Sequence, residues 1–228
     1  MNFQIIASGS DGNAYILDDG KTKLLIECGG KFKDIQVACN FKISQFVGCL
    51  ITHEHKDHCK NWQKIQEKNV PIYASEWTLN EMGAAGEILA ASKLTEVGSY
   101  KILPFPTVHD AQEPLGFLIK SANGGKLVFI TDTAFCNYRF KGLTHIAIET
   151  NYVQEIINER IANREITEAD KARTIGQHMS LDHALRFLER QDIDTVEHIY
   201  LLHLSKHNAD REQFKTIVER ETGKPVSL

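Results

Sequence analysis

The stretch Thr52-His53-Glu54-His55-Lys56-Asp57-His58 constrains this chain more than any other. Three histidines and an aspartate fall within it, and such donors converge on one point only where a rigid scaffold holds their loop. The preceding residues, Gly48-Cys49-Leu50-Ile51, are apolar and read as the end of a buried strand. From Cys59 to Lys68, Trp62 and Ile65 fall at helical spacing. The cluster therefore sits on a strand-to-helix loop. Imidazole and carboxylate together suit zinc, manganese or iron. His53 and His55 can point the same way from an extended loop. Asp57 and His58 fall at the turn into the helix and can face a second point beside the first. That layout predicts two divalent ions rather than one tetrahedral zinc. A single histidine here would read as a solvated side chain, but four potential ligands at this spacing outweigh that reading.

Length and composition narrow the setting. A chain of 228 residues is long enough for one well-buried domain, expected to span 1–228. Apolar content of 42% and charged content of 25% fit a soluble globular protein, and no apolar run approaches a membrane span. The start, Met1-Asn2-Phe3-Gln4-Ile5-Ile6, lacks the basic-then-apolar pattern of a secretory signal. Five cysteines, an odd count without framework spacing, point to free thiols and a cytoplasmic setting. A net charge of -4 gives no global attraction to nucleic acid, so phosphate binding would have to come from metal ions and local groups.

Strands are expected at Phe3–Ala7, Ala14–Leu17 and Lys23–Glu27, with turns at Ser8-Gly9-Ser10-Asp11-Gly12-Asn13 and Asp18-Asp19-Gly20. A helix should follow Gly29-Gly30, and Ser75 should cap another running toward Ala85. Gly116–Lys120 and Lys126–Ile130 read as a hairpin, and Ile146–Glu149 and Val196–Leu202 as core strands. Ser180 and Asp210 should cap the last two helices. Strands precede helices in each half, which fits an α/β protein of two sheets packed face to face with helices outside.

The pattern His-x-His-x-Asp-His at His53 to His58 resembles the metal loop of the metallo-β-lactamase-fold hydrolases. Later residues extend the resemblance: His109 after a proline-rich approach, Asp132 in Thr131-Asp132-Thr133, and His203 in His203-Leu204-Ser205. It implies an αββα four-layer sandwich, with His53, His55 and His109 on one metal ion, Asp57, His58 and His203 on a second, and Asp132 bridging. Taken singly, the later residues would read as structural; their order and strand-end settings favour ligand roles. Cysteine stands at the matching place in the true β-lactamases, and glutamate replaces the second loop histidine in the diiron branch. Asp132 and His55 therefore favour a hydrolytic binuclear enzyme.

Further motifs are similar to those of the YycJ-like phosphohydrolases, a group linked to nuclease activity on DNA. They are the Ser-Gly-Ser-Asp-Gly-Asn turn, Glu149-Thr150-Asn151, Gln177-His178-Met179-Ser180 and His203-Leu204-Ser205-Lys206-His207-Asn208. One departure stands out. Glu27 occupies a place where the resemblance leads one to expect an aspartate that buttresses the metal loop. Cys59, His145 and His198 are expected to be structural, and His183 falls in the first turn of a helix.

The resemblance implies a phosphodiesterase, most simply a nuclease on DNA, in which hydroxide held by two zinc or manganese ions (or iron) attacks phosphorus. Asp57 would orient that hydroxide, and His178 would hold the phosphate or protonate the leaving oxygen. His207 and Asn208 are candidate substrate contacts. Two rivals stay open. One is a thioester or lactone hydrolase of the same fold; the other is a metal-stabilised binding or regulatory protein without turnover.

Overall fold

Unbroken apolar runs such as Ala14-Tyr15-Ile16-Leu17 and Leu127-Val128-Phe129-Ile130 bury both faces of their strands, and the structure is built around them. The computed structural model describes all residues 1–228. The chain forms two units, residues Met1–Pro106 with Ala111–Lys126, and residues Thr107–Asp110 with Leu127–Leu228.

The first unit opens with β1 (Asn2–Ala7), β2 (Ala14–Asp18) and β3 (Lys23–Ile26), an antiparallel meander. Helix α1 (Phe32–Ala38) leads to β4 (Phe46–Leu50), which pairs parallel with β3. Two short helices follow, α2 (Lys56–Cys59) and α3 (Trp62–Gln66), then β5 (Ile72–Ala74), α4 (Glu76–Met82) and β6 (Glu87–Ile88). The six strands form one sheet in chain order. Leu25, Cys49 and Ile72 on this sheet, Ile51 just past β4 and Ile65 on α3 are fully buried in one core cluster. Strands β7 (Thr95–Val97), β8 (Tyr100–Pro106) and β9 (Leu115–Ser121) make an antiparallel ladder in the same unit.

The helix expected from Cys59 to Lys68 is instead split. Asn61 stands at the break, and its side chain donates to the carbonyls of Cys28 and Gly30, both at 2.7 Å. Ser75 caps α4 as expected, accepting from Thr78 N at 3.2 Å, and the helix ends early at left-handed Gly83.

In the second unit β10 (Lys126–Ile130), β11 (His145–Glu149), β12 (His198–Leu202) and β13 (Val226–Ser227) pair in parallel. Helices α5 (Gln154–Ala162), α6 (Glu168–Gln177) and α7 (Leu181–Glu189) separate β11 from β12, and α8 (Arg211–Thr222) separates β12 from β13. Ser180 and Asp210 cap α7 and α8 by accepting from His183 N and Gln213 N. Sheets and helices alternate as an α/β protein requires, and no helix is long and apolar enough to cross a membrane.

Candidate functional site

In the first unit the loop after β4 carries four of the expected ligands. His53 is tied through Nδ1 to the Thr52 hydroxyl at 2.9 Å, which leaves Nε2 facing Nδ1 of His55 at 3.1 Å. Asp57 and His58 lie in the first turn of α2, with Asp57 Oδ2 at 3.2 Å from His58 Nε2. The other nitrogen of His58, Nδ1, points at Glu27 Oε2, 3.5 Å away.

The turn between β1 and β2 holds this loop from behind. Asn13 N donates to the Asp57 carbonyl at 2.7 Å, and Asn13 Nδ2 lies 3.1 Å from His58 Nε2 and 3.4 Å from Asp57 Oδ2. Asn13 Oδ1 is fixed in turn by Gly9 N and the Tyr15 hydroxyl. The turn motif therefore acts on the metal loop, a role its sequence does not reveal. Cys59 is structural: its Sγ donates to the Glu54 carbonyl at 3.1 Å, and burial pushes its thiol up to about 12.

In the second unit His109, Asp132, His178 and His203 come together. His109 Nδ1 meets the Gln177 carbonyl at 3.2 Å, and Nε2 faces Asp132 Oδ2 at 3.8 Å and Asp110 Oδ1 at 3.1 Å. Burial pulls the His109 imidazole below its ordinary value, against the pull of Asp132, so the neutral ligand form is favoured. His203 Nδ1 lies 3.3 Å from Asp132 Oδ1. Ligand atoms of Asp132, Glu149, His178 and His203 all fall within 4.8 Å of one another.

Glu149 organises this group. Its Oε1 pairs with His178 Nδ1 at 2.7 Å, and its Oε2 accepts from Thr133 N at 2.9 Å and Met179 N at 3.3 Å. Burial would raise the Glu149 carboxyl, but His178 and His203 hold it below its ordinary value. Burial likewise opposes the charge on His178, and Glu149 and Asp132 outweigh it, so the His178 pKa is raised. Asn151 donates to the His203 carbonyl at 2.8 Å and sits 3.2 Å from its Nδ1. The Glu149-Thr150-Asn151 motif thus positions two histidines, which sequence reasoning marked only as a resemblance.

Three of these residues, Glu27, Asp132 and His203, have left-handed backbones, with φ of 59, 44 and 53 degrees, each just beyond a strand end. That conformation costs a side-chain-bearing residue about 1–2 kcal/mol, and such strain gathers where a site over-determines its side chains. The remaining candidates lie on the loop after β12. His207 is exposed. Asn208 is buried, and its Oδ1 accepts from Arg160 Nη1 at 2.5 Å. His145 and His198 are structural, bonded to the hydroxyls of Thr144 and Ser227.

The donor set fits divalent ions. His53 and His109 each tie Nδ1 to a protein oxygen and turn Nε2 toward neighbouring donor side chains, His55 for the one and Asp132 and Asp110 for the other, and such a tether fixes the tautomer of a metal-binding histidine. His58 turns its Nδ1 toward the Glu27 carboxylate, 3.5 Å away, and its Nε2 toward Asp57.

Comparison with known proteins agrees with this chemistry. The family described as "Beta-lactamase superfamily domain" matches residues 39–204. The chain is 30% identical over 233 residues to exodeoxyribonuclease YycJ of Bacillus anthracis, covering 93% of this chain and 85% of that protein. It is 28% identical to exodeoxyribonuclease WalJ of Streptococcus pneumoniae, over 93% and 84% of the two chains. In fold it is similar to the metallo-β-lactamase fold protein YhfI from Bacillus subtilis, with a TM-score of 0.76 at 14% identity over 98% of this chain and 94% of that one. A diphosphatase from the PhnP family superposes with a TM-score of 0.68 at 16% identity, over 94% and 89%. The chain belongs to the β-lactamase superfamily, within which it is a YycJ-like metal-dependent hydrolase of the metallo-β-lactamase fold.

Proposed function

We propose that this hydrolase is a phosphodiesterase that degrades DNA, and that residues 1–228 act as one domain holding two divalent ions, zinc or manganese. His53, His55 and His109 would hold one ion, Asp57, His58 and His203 the other, and Asp132 both. One observation carries the reading: the histidines with one tethered ring nitrogen recur in both units, in a chain similar across 93% of its length to an exodeoxyribonuclease. We further infer a cytoplasmic setting, in keeping with five free, buried cysteines.

Divalent ions bound there would supply Lewis acidity, making a water acidic enough to attack and offsetting charge on the phosphate. The chain's own groups do the rest. Asp57 orients the attacking water through its second oxygen. His178, held at Nδ1 by Glu149, presents Nε2 and gives a proton to the leaving oxygen as its bond to phosphorus breaks. Exposed His207 contacts the substrate strand, whereas Asn208, gripped by Arg160, shapes the loop that carries it.

The test is elemental analysis of metal-replete protein together with assays on labelled single-stranded DNA, double-stranded DNA and RNA. Two ions per chain and release of nucleotides from DNA are expected. A single ion under replete conditions removes the binuclear mechanism. Turnover of thioesters or lactones with none of DNA overturns the substrate class.

A further inference from the structure

We propose that a pocket on the second unit takes one nucleotide of an unpaired DNA strand beside the scissile position, its base on Phe135 and its phosphate on Arg186. The proposal rests on the nuclease reading above. The pocket encloses about 540 Å³ and lies between the segment after β10 and one face of α7.

Phe135 stands three residues beyond Asp132. Asp132, Thr133 and Ala134 are buried, yet Phe135 is 43% exposed. Its backbone is fixed from two sides: the Thr133 hydroxyl donates to the Phe135 carbonyl at 2.9 Å, and His183 Nδ1 meets the Ala134 carbonyl at 3.0 Å. An aromatic ring is thus held out to solvent on a pinned chain, where it loses little freedom on contact with a ligand.

Helix α7 supplies the charge. It buries Leu181, Ala184, Phe187 and Leu188. His183, Arg186 and Arg190 line the pocket at spacings of three and four residues, which places them along one side of the helix. Arg190 is committed to the wall, donating to the Cys136 carbonyl at 2.9 Å and to Asn137 Oδ1 at 3.2 Å. The Arg186 side chain is exposed and makes no hydrogen bond or ion pair with the protein. Two guanidinium groups against the single carboxylate of Glu189 leave the lining cationic, in a chain whose net charge is -4.

A free guanidinium beside a rigid exposed ring suits a phosphate and the base next to it. Stacking accepts every base, because each has a π-face, so such a subsite grips a strand without reading its sequence. A duplex hides its base faces within its own stack, so the occupant is an unpaired nucleotide.

The test compares metal-loaded wild type with Phe135→Ala, Phe135→Trp and Arg186→Ala. Affinity is read by fluorescence anisotropy with labelled phosphorothioate oligothymidylate, which resists cleavage. Phe135→Ala should lose roughly ten- to a hundred-fold in affinity, the range for one base stack, and Phe135→Trp should retain it. Arg186→Ala should flatten the salt dependence by about one phosphate contact. Both alanine variants should lose far more kcat/KM on the strand than on the nitrophenyl ester of thymidine monophosphate. Unchanged strand affinity in both overturns the proposal, as does an equal loss on blunt duplex or a wild type that does not bind the strand. Strand binding that depends on Phe135 without any cleavage of DNA supports the pocket and overturns the nuclease reading instead.

Discussion

Glu27 Oε2 lies 3.5 Å from Nδ1 of His58, with both side chains fully buried. The other oxygen of the same carboxylate accepts from Thr52 N at 3.0 Å. One side chain therefore bonds the metal loop at its entry and faces its last expected ligand. The longer glutamate reaches there from a left-handed backbone just past β3, so the buttress survives the change from the expected aspartate. Burial pushes the Glu27 carboxyl up, and His58 and Thr52 pull it back.

If that grip sets the orientation of His58, Glu27→Ala should weaken metal binding roughly 10–100-fold, the usual cost of removing a group that orients a ligand. Competition with a chelator, followed by elemental analysis, reads the affinity directly. Wild-type affinity in a folded variant would reduce Glu27 to a packing residue.

Gly29 makes a second claim on the same loop. A Cβ built there would stand 1.6 Å from the Asp57 carbonyl oxygen and 2.5 Å from His58 N, both backbone atoms that cannot swing aside. Gly29→Ala should therefore displace α2, cost about 1–3 kcal/mol or more as overpacking does, and lower metal affinity with it. Gly176, near the end of α6, meets nothing within 4 Å. Gly176→Ala should hold or raise stability by about 0.5–1 kcal/mol, because alanine favours a helix. Urea denaturation of the two variants separates a close backbone approach from general sensitivity to a methyl group.

The difference between these glycines shows what a sequence can and cannot carry. The metal loop announces itself because its donors are adjacent in the chain, and the caps Ser75, Ser180 and Asp210 do so because capping is local. Asn13 reaching Asp57 and His58, Glu149 reaching His178, and Asn61 breaking a helix to bond Cys28 are long-range contacts. No local periodicity reports them. The left-handed backbones at Asp132 and His203 are hidden for a related reason, since their residue types alone give no sign of a strained turn. Strands β6 and β13 have two residues each, too few for alternation to register.

A pH dependence follows from Asp19, which lies outside the candidate site. Its Oδ1 accepts from Lys21 N and Thr22 N, and its Oδ2 from the hydroxyls of Ser99 and Ser121. Burial would raise its carboxyl, but these donors hold it down at about 2, against an ordinary 3.8. A carboxylate with a depressed folded pKa stabilises the fold fully above its unfolded value and loses that contribution as pH falls through the folded one. Wild type should therefore exceed Asp19→Asn in stability at pH 5, with the gap closing between about pH 4 and 2. Chemical denaturation of metal-free protein at several acid pH values measures the gap. A constant difference would assign the effect of Asp19 to packing.

The last prediction concerns His178, which lies next to Asp132 and His203 but outside the expected ligand set. Its ring stacks on His203 with centroids 5.3 Å apart, and Glu149 holds its Nδ1 at 2.7 Å. The ring is thus aimed by a buried carboxylate that is itself pinned by Thr133 N and Met179 N. Such rigidity suits proton transfer, which demands a donor at a set place. His178→Ala should keep the metal content of wild type and lose roughly 10²–10⁴-fold in turnover of DNA, the range for a positioned acid–base group. A nitrophenyl phosphodiester has a leaving group that departs without a proton, so its hydrolysis should suffer much less. Glu149→Gln, which keeps the shape but removes the charge, should show the same substrate split in weaker form. Equal losses on both substrates would make His178 a phosphate-binding residue. An undiminished rate on both, with metals bound, would leave it a structural partner of Glu149.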